Sequence, residues 1–277
     1  MYTIRKVLEC GIDLLKDKPT PLQDALLLLS DLIKLDQLEI MSYKDNNIEP
    51  SVVYQYMKMI HRRKNGVSIA HIIGRKEFWG RDFSIQGNTL VPRDDSETII
   101  ELFLELSNKT RRYKLADFGT GSGCLLVTAL LERRNSYGCG YEIDMNAYNN
   151  TLVNVNRYNL SKRCNMYYKS WVYNDMKFDF LLSNPPYICR DDIKNLQMEV
   201  RNESRLALDG GINGCIMYRR LFSGIRQHLL SGGTCIVEIG DKMYYDVIRI
   251  ATEYGLSLYR YKKDLTGVIR CLAFRIS

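Results

Sequence analysis

From Lys114 onward, short β-rich apolar runs alternate with segments of helical period, and no other feature of the 277-residue sequence constrains its fold as tightly. Strand-like runs fall at residues 114–118, 138–143, 165–170, 178–183 and 234–239, with helices expected at 124–134, 146–159, 215–230 and 244–254. Such alternation argues for an α/β fold: a doubly wound, mostly parallel sheet covered by helices on both faces. Two further β-rich runs within 257–276, separated by residues 263–267, are expected to close the sheet as a hairpin.

The amino-terminal part has another period. Ile4, Val7, Leu8 and Ile12, then Leu22, Ala25, Leu26, Leu29 and Ile33, recur at helical spacing, while Pro19, Pro21 and Pro50 fall between helices or at their starts. Pro50 opens a helix through Val53, Met57 and Ile60 to Arg63, closed by Asn65-Gly66. Residues 67–92 carry β-rich stretches at 69–73 and 83–85 broken by Gly74, Gly80 and Gly87, which predicts a β-hairpin linker. Asp94, Asp95 and Ser96 offer N-cap oxygens to a helix at 97–106. The organisation expected is a small helical domain at 1–66, a hairpin linker at 67–92 and an α/β domain at 93–277, in keeping with the roughly two domains that ~150 residues per domain implies.

Composition narrows the class. At 45% hydrophobic and 26% charged residues, collagen-like, disordered and disulfide-scaffold chains are excluded. The eight cysteines contain no CxxC pair and several lie in apolar runs, so they are expected as buried, reduced thiols. With three histidines and no paired cysteines, no metal site is expected. The longest apolar run, residues 25–29, is far below the ~18 residues of a membrane span. These features place the protein in the cytoplasm, without a membrane partner.

Residues 116–124 read Ala-Asp-Phe-Gly-Thr-Gly-Ser-Gly-Cys and join a strand to a helix. Gly119, Thr120, Gly121, Ser122 and Gly123 form a loop whose glycines permit a tight turn and close approach of a ligand, while the helix start offers unpaired N–H groups. The next strand ends at Glu142, where a carboxylate can accept both hydroxyls of a ribose. The dinucleotide fingerprint would need a third glycine where Cys124 stands, and no Gly-Lys-Ser/Thr follows for a P-loop. The loop is therefore either a nucleoside site without a pyrophosphate cradle or a plain glycine-rich turn. Trp171 follows the third strand, where an indole could lie against an adenine or simply fill the core.

The apolar strand 178–183 runs straight into Asn184-Pro185-Pro186-Tyr187. Two prolines fix φ twice and remove two donors, so this is a stiff turn at a strand's carboxyl end. The Asn184 side-chain oxygen and the Pro185 carbonyl can both accept from one planar NH₂ group, and Tyr187 offers a face to a flat π-system. Two fixed acceptors orient a poorly nucleophilic amide nitrogen and ease its loss of conjugation. Were that nitrogen to take up a methyl group, the still protonated product amide would be acidic enough to lose its proton to Asn184, the Pro185 carbonyl or water.

These motifs and their flanks resemble the protein release factor glutamine methyltransferases, the PrmC/HemK family of class I S-adenosylmethionine-dependent methyltransferases, whose sheet is Rossmann-like. The likeness extends over Arg62-Arg63-Lys64-Asn65-Gly66, Ile69-Ala70-His71-Ile72-Ile73-Gly74, Glu77-Phe78-Trp79-Gly80, Leu90-Val91-Pro92-Arg93, Val200-Arg201, Ala207-Leu208-Asp209-Gly210-Gly211, Ser231-Gly232-Gly233 and Asp264-Leu265-Thr266-Gly267. It implies methylation of the side-chain amide of the glutamine in the Gly-Gly-Gln motif of class I peptide chain release factors, with S-adenosylhomocysteine as the by-product. It also implies cofactor contacts at Gly119–Gly123, Glu142, Trp171 and Asn184, substrate contacts at Asn184, Pro185, Pro186 and Tyr187, and a monomer whose helical domain recognises the protein substrate. The chain departs from the family at Asp94, where a proline commonly follows Pro-Arg, and at Ser170, where an acid commonly precedes the tryptophan.

The nearest alternatives share the acceptor chemistry: a glutamine methyltransferase of a ribosomal protein, or an enzyme methylating nucleobase amino groups such as adenine. A catalytically silent S-adenosylmethionine-binding adaptor is the reading from another class. The net charge of +7 is concentrated between Lys58 and Arg81, where Lys58, Arg62, Arg63, Lys64, Arg75, Lys76 and Arg81 face one acid, Glu77. An acidic protein surface explains that strip as well as nucleic acid does, so no direct nucleic-acid partner is required; a solvated helix end and hairpin is the bland explanation.

Overall fold

The structure, a computed structural model, describes residues 2–173 and 176–277; Met1, where the expected helical domain begins, lies outside the described residues. In chain order it contains α1 (Ile4–Leu14), α2 (Pro21–Ile33), α3 (Gln37–Ser42), α4 (Pro50–Lys64), α5 (Ile69–Ile73), β1 (Arg75–Phe78), β2 (Arg81–Ser84), α6 (Glu97–Leu106), β3 (Lys114–Phe118), α7 (Cys124–Glu132) and β4 (Tyr137–Glu142). There follow α8 (Met145–Arg157), β5 (Cys164–Tyr168), β6 (Phe178–Ser183), α9 (Met198–Arg201), α10 (Arg205–Leu208), α11 (Ile216–Ser223), α12 (Ile225–His228), β7 (Leu229–Glu238), α13 (Tyr244–Glu253), β8 (Leu256–Lys263) and β9 (Ile269–Ile276). The chain divides into two compact units, Met1–Gly74 with Gln197–Asn202, and Arg75–Leu196 with Glu203–Ser277.

In the helical unit, Thr3 Oγ1 caps α1 by accepting from the Lys6 N–H, and Pro21 and Pro50 occupy first-turn positions where a missing N–H leaves nothing unpaired. Val7, Leu8, Ala25, Leu28, Leu29, Tyr56 and Ile60 form its core. Gly11 is required by packing, because a Cβ there would stand 2.3 Å from the Tyr56 hydroxyl oxygen. Arg63 is carried inward by α4: its Nε donates to Asp24 Oδ2 at 2.6 Å, while Nη1 and Nη2 donate to the two Glu199 oxygens at 2.9 and 3.2 Å. Asn202 Nδ2 donates to the Gly66 carbonyl at 2.8 Å, so the distant segment closes on the helix end as well.

The expectation of a β stretch at 69–73 is corrected. Ser68 Oγ accepts from the His71 N–H, and Gly74, at φ +84°, closes α5 in the left-handed conformation, so caps at both ends outweigh the β-branched isoleucines. The hairpin is confined to β1 and β2, joined by Trp79-Gly80 with both φ values positive, a type I′ geometry. It is no free linker: Phe78 and Phe83 are buried in the core of the α/β unit, and Asn150 and Asn154 on α8 bond the main chain of Ser84 and Gln86.

The larger unit holds a seven-stranded sheet of order β5-β4-β3-β6-β7-β9-β8, parallel except for β9, which runs antiparallel to β7 and β8. Strand residues alternate between two cores: Leu115, Phe180, Leu182 and Ile236 pack with residues of α6 and α7, and Ala116, Phe118, Leu181 and Val237 with residues of α11 and α13. The order reverses at β3, which lies between β4 and β6, so the carboxyl ends of these strands flank the crevice where such sheets bind ligands. The single helix expected at 215–230 is replaced by α11 and α12, because Gly224 ends the first and Leu229 is drawn into register with Phe178 as the start of β7. Six of the eight cysteines are buried; Cys10 is exposed on α1, and none is paired. Among the described residues, no helix is long and apolar enough to cross a membrane.

Removing the guanidinium strands a buried carboxylate, so Arg63→Met is expected to lower the free energy of unfolding of the helical unit by about 3–5 kcal/mol, measured by chemical denaturation.

Candidate active site

The crevice is framed by three strand ends. After β3 the chain turns through Gly119, whose N–H, with that of Thr120, donates to the Tyr141 carbonyl on β4 at 2.9 and 3.2 Å. Thr151 Oγ1 donates to the Gly121 carbonyl at 2.7 Å and Asn154 Nδ2 to that of Ser122 at 2.8 Å, so α8 grips the loop from beneath. Gly119 and Gly121 have φ of +77° and +62°, and a Cβ at either would meet nothing within 4 Å. That open space belongs to a cavity lined by Gly119, Gly121, Glu142, Trp171, Asn184, Pro185 and Pro186, together with Leu90, Asp144, Ser204, Leu206 and Met217 among others. Gly123 is glycine for another reason, since its Cβ would lie 2.8 Å from Thr151 Cγ2.

Glu142 closes the β4 side. One carboxylate oxygen accepts from the Gly121 N–H at 2.9 Å, and the other from the N–H groups of Ile143 and Asp144 at 2.8 and 2.9 Å. Burial pushes this carboxyl up while the three N–H donors pull it down. Asp144 caps α8 and takes the Ser204 hydroxyl at 2.5 Å, fastening the cavity's opposite rim. Below the loop, Asp117 is fully buried; burial, reinforced by Glu142, pushes its carboxyl up to about 8, against the pull of the Leu126 N–H. Trp171 is both core and lining: its ring stacks on Phe118 at 5.6 Å and 11°, and its buried Nε1–H has no partner among the described residues.

Asn184 follows β6, whose last residue fastens the sheet at this point: Ser183 Oγ donates to the Phe118 carbonyl at 2.7 Å. Asn184 Nδ2 donates to Ser96 Oγ at 3.1 Å, leaving Oδ1 without a partner among the described residues. Ser96 in turn donates to Glu238 Oε2 at 2.5 Å rather than capping α6, which corrects the N-cap role expected for it; Asp94–Ser96 instead form a short 3₁₀ turn. Pro185 and Pro186 line the cavity, whereas Tyr187 turns toward β7: its hydroxyl donates to Glu238 Oε1 at 3.2 Å, and its ring abuts Gly240. Thr120 and Ser122 line a second, adjoining cavity that shares Gly119, Gly121 and Asn184 with the first.

The structure thus brings Gly119, Gly121, Glu142, Trp171, Asn184, Pro185 and Pro186 to one crevice, with Thr120 and Ser122 beside it, while Gly123 and Tyr187 act one layer away. Asp144, Ser204 and Glu238 were missed by sequence reasoning, and Ser96 was read as a helix cap and not as part of the site. Asp144, two residues past Glu142 at a helix start, carried a signal; Ser204 and Glu238 fall in no motif. Four of the seven cations of the basic strip are matched by carboxylates, Arg63 by Asp24 and Glu199, Arg75 by Asp82, Lys76 by Asp94 and Arg81 by Glu132, so the strip is no continuous free charge.

Residues 6–74 match the family described as PrmC N-terminal domain, and residues 95–213 match the methyltransferase small domain. A release factor glutamine methyltransferase of Bradyrhizobium diazoefficiens is 33% identical over 91% of this chain and 87% of its own length, and one of Clostridium botulinum is 34% identical over 91% of each. Among solved structures, a methyltransferase from Pyrococcus furiosus shares the fold over 71% of this chain and 89% of its own, with a TM-score of 0.52 at 17% identity. Full-length similarity to such relatives, on a sheet whose switch point carries the glycine loop, Glu142 and Asn184, identifies the chain as a member of the release factor glutamine methyltransferase family.

Proposed function

We propose that this chain methylates the side-chain amide nitrogen of the glutamine in the Gly-Gly-Gln motif of class I peptide chain release factors, using S-adenosylmethionine in the cytoplasm. The observation that carries the reading is Asn184: its NH₂ is tied back to Ser96, its oxygen has no partner among the described residues, and the residue lines a cavity that the glycine loop also lines. An acceptor fixed at that point suits an incoming NH₂ group.

The residues present fit the cofactor. Open space above Gly119 and Gly121 accommodates it, the Trp171 Nε1–H, without a partner among the described residues, awaits an acceptor, and Glu142 Oε2 keeps one lone pair for a ribose hydroxyl after the three main-chain bonds to the carboxylate. S-adenosylmethionine, when bound, supplies an electrophilic methyl group on a sulfonium. The chain's own part is to hold and orient. Asn184 Oδ1 accepts one amide proton of the substrate, the rigid Pro185-Pro186 turn keeps that acceptor in place, and the apolar lining of Leu90, Leu206 and Met217 excludes water. The proton released on transfer leaves through Asn184 or the Pro185 carbonyl to water. We assign substrate recognition to the helical unit, which matches the PrmC N-terminal domain and exposes Leu22, Leu38, Met41, Tyr43 and Tyr54.

With labelled S-adenosylmethionine, wild-type protein is expected to label a release factor and to leave its Gln-to-Ala version, DNA and ribosomal proteins unlabelled; label in the Gln-to-Ala factor or chiefly in DNA refutes the reading. Asn184→Ala should reduce turnover by roughly 10²–10³-fold, while calorimetry finds cofactor affinity within about threefold of wild type, less than ~1 kcal/mol. Gly121→Ala places a methyl in the cavity at a left-handed backbone position, and cofactor affinity in the same measurement should weaken at least about tenfold.

A further inference from the structure

Glu238 ends β7 with 1% of its surface exposed, and the methyl-transfer chemistry does not call on it. Its two oxygens nevertheless hold two residues of the Asn-Pro-Pro-Tyr turn, Asn184 through Ser96 and Tyr187 directly. An ionised carboxylate can only accept. Ser96 therefore spends its single proton on Glu238 Oε2, and its oxygen can only accept from Asn184. That forces the NH₂ end of Asn184 toward Ser96 and the oxygen toward the cavity.

A protonated Glu238 reverses the chain of bonds. With the acid proton on Oε2, Glu238 donates to Ser96, Ser96 donates to Asn184 Oδ1, and the amide turns its NH₂ to the cavity. A substrate NH₂ would then meet a donor instead of an acceptor. We propose that Glu238 is the positioning residue that selects which end of the Asn184 amide meets the substrate, and that loss of its proton switches the site to the acceptor state. The inference rests on the reading of the chain as a glutamine methyltransferase only for its kinetic arm.

The surroundings set the switch in a useful range. Around Glu238 stand Asp95 of the 3₁₀ turn, Tyr187, Tyr218 of α11, Cys124 of α7, and Arg270 and Cys271 around β9. Arg270 is the one cation among these groups, and it is shared between Asp95 at 3.2 Å and Asp264 at 2.8 Å, so it compensates Glu238 poorly. Burial pushes the Glu238 carboxyl up to about 7, opposed by the Ser96 and Tyr187 hydroxyls. The acceptor state therefore fills as pH rises through neutrality and empties below it.

The test uses full-length ¹⁵N-labelled protein, with the Asn184 side-chain amide signals identified by their absence in Asn184→Ala. Between about pH 5 and pH 9 these signals are expected to titrate with one midpoint near that of Glu238, and to lose the titration in Glu238→Gln and in Ser96→Ala. Tyr187→Phe removes a donor to the charged form and should move the midpoint upward. In the kinetic arm, kcat of the wild type rises through the same midpoint; Glu238→Gln and Ser96→Ala should lower kcat about tenfold, abolish that limb and leave cofactor affinity unchanged. Asn184 signals that ignore pH, or both variants retaining wild-type kcat and pH profile, would overturn the proposal. A wild type that fails to methylate release factor would defeat the functional reading alone, because the amide titration still decides the relay.

Discussion

The site depends on two strands that are distant in sequence lying side by side. β3 and β6 pair in parallel at the middle of the sheet, in register from Leu115–Phe180 to Asp117–Leu182, and the Ser183 hydroxyl locks their carboxyl ends together through the Phe118 carbonyl. Two walls of the crevice are then set by how the chain leaves those ends. One leaves through glycines, so that at Gly119 and Gly121 no side chain fills the crevice; the other leaves through two prolines, which stiffen the turn that carries Asn184.

Supports behind that pair are polar and buried. Asn150, Thr151 and Asn154 are wholly buried on α8, yet none is idle: they bond the hairpin main chain and the glycine-loop carbonyls. An apolar face on α8 would pack as well but would leave Ser84, Gln86, Gly121 and Ser122 with unmet main-chain groups. The same logic explains Glu97, whose carboxylate accepts from the Trp79 N–H at 2.6 Å and so pins the hairpin turn despite the Asp94 departure. Loop rigidity is thus derived from side-chain amides and carboxylates rather than from hydrophobic packing.

Much of this was legible in the sequence, for identifiable reasons. Strand and helix periods located β3, β4, β6 and α8 within a residue or two, and fixed offsets placed Gly119, Gly121, Glu142 and Asn184 together because each sits at a strand end. What periodicity could not supply was capping and partner choice. Ser68 and Gly74 turned an isoleucine-rich stretch into a helix, and Gly224 split another. Ser96 and Glu238 lie 142 residues apart and belong to no spacing pattern, so only the fold makes them a pair. Tyr187 was legible as part of a motif but not in its orientation, which follows from the carboxylate waiting on β7.

The helical unit is discontinuous. Arg63 meets Asp24 within its own stretch of chain, but its second carboxylate arrives 136 residues later in Glu199. On a ribosome, where residues emerge in order at about 5–20 per second, Glu199 follows Arg63 by roughly 7–27 seconds, and until it appears the Arg63 guanidinium has Asp24 as its carboxylate partner but lacks the bidentate pair that Glu199 supplies. Synthesis of the intervening strands precedes closure of the first-made unit, which makes the maturation of this protein a matter of timing as well as of stability.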